Sequence, residues 1–450
     1  MTHRLSIVAS VCTALLLAAP AVAQTTVGTL EPISIVAVPG EGGEWVVRDP
    51  GATYIRVHFS RFELAAGERV LVSDPDGNDL RVYEGRGPHG TGEFWAFSVT
   101  GEAAVIRTQS ALGDGSGFEV DSYGRGYAPW PGGSDPVTPE SVCGTQDWRD
   151  VTCYQASYPT EYEKARGAVK ALIGCCSACT AFKVSDSGQY LTNNHCTAST
   201  SGVQSTELRF EYQASSCGSA ANAYTGSVMG SQMLKTDPTY DYTLFTTSGS
   251  SASIPCLELD PRLPPVGERI YIAGHPAGGV KKLSIESDRN AGGLCAVDAA
   301  PYPGNGADTD VGYFCDTTNG SSGSPVLSGE THKVVALHHF GGCLNSGGRI
   351  DRIYGQISGQ LDSCAGGGGG GTCGNGTLDP GEACDGADLN GQTCEGLGFG
   401  GGTLACNGSC TGFDTSGCTA ACFPSGQTCS TNSQCCSGQC KGGKGGKRCR

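Results

Sequence analysis

Asn319-Gly320-Ser321-Ser322-Gly323-Ser324-Pro325 is the stretch on which the reading of this 450-residue chain turns. Glycines bend the backbone sharply and bring its N–H groups close to a ligand. A hydroxyl held beside amide donors is what an acyl-transfer nucleophile requires. A flexible linker has the same composition. Against a linker stand the apolar runs that follow, Pro325-Val326-Leu327 and Val334-Val335-Ala336-Leu337, which read as buried strands.

Two upstream segments decide between these readings. Leu191-Thr192-Asn193-Asn194-His195-Cys196 follows a short strand, Gly188–Leu191. His195-Cys196 invites a zinc reading, but no further ligands stand nearby at usable spacing, and Cys196 reads better as a disulfide partner. Tyr240-Asp241-Tyr242-Thr243-Leu244-Phe245 places one acid in an otherwise apolar, strand-like run. A buried carboxylate needs a partner, and an imidazole N–H is the partner of an acyl-transfer triad. Asp237, in a turn before Pro238, is the weaker candidate; His275, in a Gly/Pro turn, reads as structural, and His338-His339 also competes with His195. The order His195, Asp241, Ser322 thus emerges.

Composition sets the context. Seventy-one glycines, 25 cysteines and only 16% charged residues describe a secreted, mostly β protein, and a net charge of -15 argues against nucleic acid as a partner. Met1–Arg4, the apolar Leu5–Leu17 and Ala21-Val22-Ala23 form a signal peptide over 1–23. Cys12 follows Val11, where a lipid-anchor site needs a small residue. Past the signal, 24 cysteines remain, an even number that predicts disulfides rather than thiols or metal ligands. No later stretch is long enough for a membrane helix.

The chain divides by composition. Residues 25–125 lack cysteine and alternate apolar and polar residues, as in Tyr54–Phe59 and Phe94–Phe97, which predicts a β-sandwich serving as a pro-region or accessory domain. Residues 126–142 are a Pro/Gly-rich linker. Residues 143–364 hold 12 cysteines and read as a barrel or sandwich whose single helix is expected over Glu161–Ile173. A glycine linker occupies 365–372. Residues 373–418 and 422–450 each hold six cysteines and too little core to fold without bridges. Asp379, Glu382 and Asp385 read as a solvated acidic loop rather than a calcium site. The spacing over 422–449 resembles a cystine knot, implying Cys422–Cys436, Cys429–Cys440 and Cys435–Cys449, although six cysteines allow 15 pairings.

Residues 143–364 resemble the chymotrypsin-like double β-barrel serine proteases, and among them the secreted bacterial lysyl endopeptidases. The residues that carry this are Leu191–Cys196, Asp241–Leu244, Gly320–Pro325 and Ala336–His338. The resemblance implies Ser322 as nucleophile, His195 as general base, Asp241 as its orienting acid, and the N–H groups of Gly320 and Ser322 as the oxyanion hole. It further implies His338 beside Asp241, and bridges Cys179–Cys196, Cys153–Cys217 and Cys143–Cys343. It leaves Cys175, Cys176, Cys256, Cys295, Cys315 and Cys364 unassigned. Ser321 stands where trypsin-like zymogens carry the acid that receives a new N-terminus, so activation by pro-region removal is expected instead. Asp316, six residues before Ser322, holds the position that gives trypsin its basic preference, while Arg349 falls where the lysyl group has an acid. Both are expected at the substrate pocket, where they could pair, and a basic P1 residue is the leading expectation.

The segment 373–418 is similar to Cys-rich repeats of myxobacterial secreted proteins. The expected protein is a monomeric, cofactor-free, extracellular endopeptidase acting on proteins or peptides, with C-terminal modules that contact a cell surface or polymer. The alternative is an inactive protease-like protein that displays those modules for binding.

Overall fold

A computed structural model describes residues 24–127, 141–249, 251, 253–364 and parts of 384–450. The expected signal peptide, most of the 126–142 linker, the glycine linker, Asp379, Glu382 and the Cys422–Cys436 bridge lie outside the described residues.

The N-terminal region is two antiparallel sheets face to face. One orders the strands Gly28–Ala37, Gly117–Gly126, Tyr54–Glu63 and Phe94–Trp95, with Val99–Thr100 also on Tyr54–Glu63. The other orders Glu44–Arg48, Ala103–Thr108, Val70–Ser73 and Arg81–Tyr83. Phe59, Phe62, Tyr83, Phe94 and Phe118 meet in one aromatic cluster, with a bulge at Ser60 bringing Phe59 and Phe62 to the same face.

Two β units follow. The first closes on itself: Ser177–Lys183, Ala168–Ile173, Thr206–Phe210, Gly226–Asp237, Tyr242–Ser248 and Gln189–Thr192 pair in that order, and the last pairs back to the first. The second runs Arg149–Asp150, Lys282–Ser284, Ile270–Gly274, Pro325–Ser328, Val334–Phe340, Asn345–Arg349, Asp310–Tyr313 and Val297–Tyr302. Leu191 and Leu244 from the first, Leu283 and Leu337 from the second, and Ile350, Ile353 and Ile357 of the helix Ile350–Ile357 share one core. The fold is therefore mostly β, a double barrel preceded by a sandwich-like region and followed by small disulfide-rich units.

One expectation fails here. The helix expected over Glu161–Ile173 covers only Pro159–Ala165, and Ala168–Ile173 is a central strand between Ser177–Lys183 and Thr206–Phe210. Gly167 separates the two; a Cβ there would lie 2.6 Å from the Leu257 side chain. The strand is buried on both faces, so it lacks the alternation that would distinguish it from a helix in sequence.

Bridges join Cys143–Cys343, Cys153–Cys217, Cys179–Cys196, Cys175–Cys176 and Cys256–Cys364. Cys295 and Cys315 are buried thiols, against the expectation that every cysteine is bridged. In the C-terminal segments Cys384–Cys406, Cys394–Cys418, Cys429–Cys440 and Cys435–Cys449 are bonded, and Cys440–Gly443 pairs with Gly446–Cys449 as a hairpin.

The sandwich is fixed to the first barrel by buried charge. Arg56 and Glu207 are both 0% exposed. Glu207 accepts from the Ser98 N–H at 2.9 Å, the Ser98 hydroxyl, and Arg209 at 3.2 Å, with Arg56 Nε at 4.0 Å. Arg56 also donates to the Leu172 and Gly174 carbonyls across the interface. Burial raises the Glu207 pKa, but the two guanidiniums and Ser98 outweigh it and hold the carboxyl below its usual range. Removing one partner of such a cluster leaves buried charge uncompensated. Glu207→Ala should therefore lower stability to urea by about 3–5 kcal/mol. A loss below about 1 kcal/mol would mean that water reaches the cluster in solution.

Candidate active site

The turn at Ser322 is held from both barrels. Gly320 and Gly323 both have φ of +89°, which a side chain disfavours. A Cβ on Gly323 would also sit 1.9 Å from the Thr180 carbonyl oxygen. The Thr180 N–H donates to the Ser322 carbonyl at 2.8 Å, and the Gly323 N–H donates to the His338 carbonyl at 2.9 Å. The Ser324 hydroxyl donates to the Ser321 carbonyl at 2.6 Å, closing the turn internally. Ser322 is thus pinned between Ser177–Lys183 and Val334–Phe340. Its hydroxyl lies 3.4 Å from the His339 carbonyl.

His195 sits in the loop after Gln189–Thr192. The Cys179–Cys196 bridge ties that loop to the neighbouring strand, so Cys196 has no thiolate to offer a metal. The His195 backbone N–H donates to Asp241 Oδ1 at 2.9 Å and its Nδ1 to Oδ2 at 2.6 Å. With Nδ1 as donor, the neutral ring carries its lone pair on Nε2. That nitrogen is buried and makes no hydrogen bond among the described residues.

Asp241 is 2% exposed and adopts φ of +50°, a conformation unusual outside glycine. Asn193 Nδ2 holds its carbonyl at 2.8 Å. Asp237, the rejected candidate, instead caps its own turn through Thr239 and Tyr240 N–H.

The residue expected behind the acid is off by one. His338 does not touch Asp241; its Nδ1 lies 2.7 Å from the Tyr313 hydroxyl. His339 takes that place, with Nδ1 3.0 Å from Asp241 Oδ2 and Nε2 2.6 Å from Asp310 Oδ2. Successive strand residues face opposite sides, so one position decides which imidazole meets the acid. The His-His pair was visible in sequence, but its phase relative to Asp241 was not, and neither was Asp310, which comes from another strand.

The electrostatics follow. Burial lowers the His339 pKa, but two carboxylates overcome it and bring the pKa up to about 9, so the ring is an imidazolium donating from both nitrogens. Burial raises the Asp241 pKa, yet hydrogen bonds from His195 and His339 hold it well below the carboxylate range. His338, buried and facing His339 and His195, is pushed down to about 3 and stays neutral.

Asp316 and Arg349 are not brought together, which corrects the pairing considered from sequence. Asp316 is buried and spends both carboxylate oxygens on the N–H groups of Cys143 and Asp147, each at 2.8 Å. Burial outweighs these bonds and moves its pKa up to about 6. Arg349 forms a two-point pair with Asp351, at 3.0 and 2.7 Å, and donates to the Asp308 carbonyl.

Residues 179–337 match the trypsin-like peptidase domain. A protein described as secreted RxLR effector protein 73, from Plasmopara viticola, is 33% identical over 323 residues, which are 67% of this chain and 78% of that protein. The chain belongs to the same family as that protein, and its double barrel is a trypsin-like peptidase domain. Similar solved structures include Deg5, at 16% identity and TM-score 0.32 over 42% of this chain and 87% of that one. A serine endoprotease from Yersinia pestis is another, at 11% identity and TM-score 0.33 over 44% of this chain and 63% of that one.

In this peptidase domain the imidazolium behind Asp241 has a pH signature. Its folded pKa is raised, so its stabilisation is complete below the ordinary His value of 6.5 and is lost as pH rises through about 9. Wild type should lose on the order of 3 kcal/mol of stability across that alkaline window. His339→Gln should flatten the slope. Equal slopes in calorimetric melting of the two proteins would show that His339 is not charged.

Proposed function

We propose that this protein is a secreted serine endopeptidase. The observation that carries the reading is the Asp241 carboxylate, which grips both the backbone and the ring of His195 and fixes the tautomer with its lone pair on Nε2. Ser322 Oγ attacks the scissile carbonyl while His195 Nε2 accepts its proton. The same nitrogen then protonates the departing amine, and water repeats the sequence to free the acyl group. Asp241 stays ionised and stabilises the imidazolium that forms. The N–H groups of Gly320 and Ser322 receive the oxyanion, a contribution worth roughly 3–4 kcal/mol per donor in comparable sites. No metal or cofactor takes part in this scheme.

The signal-like sequence at 1–23 and the nine bridges among the described residues support an extracellular place of action. The sandwich region serves as a pro-region or accessory domain, and the C-terminal modules contact a surface or polymer.

A fluorophosphonate probe tests the core of this reading. Mature wild type should label at Ser322, Ser322→Ala should not, and Asp241→Asn should lower kcat about 10⁴-fold by allowing the wrong tautomer. Failure of wild type to label would favour the inactive binding reading, which the effector description of the relative also supports.

The basic P1 preference expected from sequence would be read by Asp316, which holds the position that gives trypsin that preference. Its two backbone bonds support a different role, as the tether of residues 143–147. Asp316→Asn should therefore leave the cleavage-site profile unchanged while lowering the melting temperature. A shift of P1 away from Lys and Arg by about tenfold or more, some 1.4 kcal/mol, would assign Asp316 to the pocket instead.

A further inference from the structure

The strand Ser177–Lys183 pairs along its whole length with Ala168–Ile173, but on its other edge Gln189–Thr192 reaches only Phe182 and Lys183. The opposite end of that edge, Ser177–Ala178, is covered by the chain's own residues 25 and 26. Thr25 faces Ala178 and Thr26 faces Ser177 in antiparallel register. The Val27 N–H extends the ladder to the Cys176 carbonyl at 2.7 Å. Gln24 turns its side-chain amide onto the carbonyls of His195 and Cys196, the second at 3.1 Å.

The segment also reaches the nucleophile turn. The Thr25 methyl lies 2.9 Å from where a Cβ on Gly320 would stand, and Val27 Cγ1 lies 2.4 Å from that position on Gly278. Thr25–Val27 therefore run along the barrel edge and past the proposed oxyanion turn, while the Gln24 side chain reaches the backbone of His195-Cys196. They are held there by the sandwich, since the strand Gly28–Ala37 begins immediately after them and Tyr54 Oη donates to the Cys175 carbonyl at 2.8 Å.

The departing amine of a substrate must lie beside His195, which protonates it. The residues after that amine then run alongside His195-Cys196 and the Ser177–Ala178 edge, where an extended peptide adds as a strand. We propose that Gln24–Val27 is an inhibitor strand acting in cis, occupying the leaving-group side of the site. The proposal rests on the endopeptidase reading of Ser322. Because the strand is tethered, it competes at an effective concentration set by its short connection rather than by bulk concentration. Substrates extended beyond the scissile bond must displace it; esters with a small leaving group need not.

The test uses the full-length secreted protein and two variants, Val27→Pro, which removes the N–H bonded to Cys176, and Gln24→Ala, which leaves the backbone pairing intact. The substrates are a peptide extended on both sides of the scissile bond and a thioester with the same acyl part. Val27→Pro should raise kcat/KM on the peptide about tenfold and Gln24→Ala about threefold, with thioester rates changed less than about twofold. If Val27→Pro does not fold, as judged by its melting curve, Gln24→Ala decides alone. Equal changes on both substrates, or an unchanged peptide rate in a protein that labels at Ser322 and hydrolyses the thioester, would overturn the inhibitor strand alone. Absence of both labelling and thioester hydrolysis in every protein would overturn the endopeptidase reading and this proposal with it.

Discussion

A carboxylate buried between two barrels is the constraint around which the site is arranged. Asp241 sits at the start of Tyr242–Ser248, where burial by itself would force it to take up a proton. It stays ionised because three N–H groups converge on it: the backbone and ring of His195, and the ring of His339. Those donors come from different barrels. The His195 loop belongs to the first and the strand Val334–Phe340 to the second, so the acid acts as a joint between them. Its left-handed backbone and the Asn193 bond to its carbonyl keep it in that place. Asp310 completes the arrangement by giving His339 a second carboxylate, so that the charge behind the site is shared over two acids and one imidazolium.

Ser322 depends on the same joint. Its turn receives an N–H from Thr180 of the first barrel and gives one to His338 of the second. Gly323 exists at that position because the Thr180 carbonyl leaves no room for a side chain. The histidine loop, in turn, is bridged to the strand that holds the serine turn. Ser322, His195 and Asp241 are therefore positioned by one set of contacts rather than by three independent loops.

The sandwich is part of this arrangement, not a bystander. With Arg209 of the barrel itself, the sandwich's buried Arg56 and Ser98 supply the partners of Glu207, a fully buried barrel carboxylate. The same docking brings the segment before Gly28 to the barrel edge beside His195. Stability of the interface and access to the site are thus mechanically linked, because the strand that covers the edge continues directly into the sheet that is anchored.

Local chemistry was legible in sequence wherever a residue type constrains its own neighbourhood. The glycine-flanked serine, a lone acid in an apolar strand and an even cysteine count point to a turn, a buried partner and an oxidised fold without reference to distant residues. Alternation in residues 25–125 marked strands with one wet face. Where that asymmetry vanishes the pattern is silent: Ala168–Ile173 is covered on both faces and gives no period to tell a strand from the continuation of the preceding helix. Residue type alone singled out Ser322, His195 and Asp241 as the proposed nucleophile, base and acid, since that chemistry is carried by their side chains. Only the tertiary structure decided that His339 rather than His338 backs Asp241, that Asp310 joins it, that Asp316 and Arg349 take separate partners, and that Gln24–Val27 lies against the site. Each of these depends on strand phase or on contacts between distant segments, and a linear pattern does not encode either.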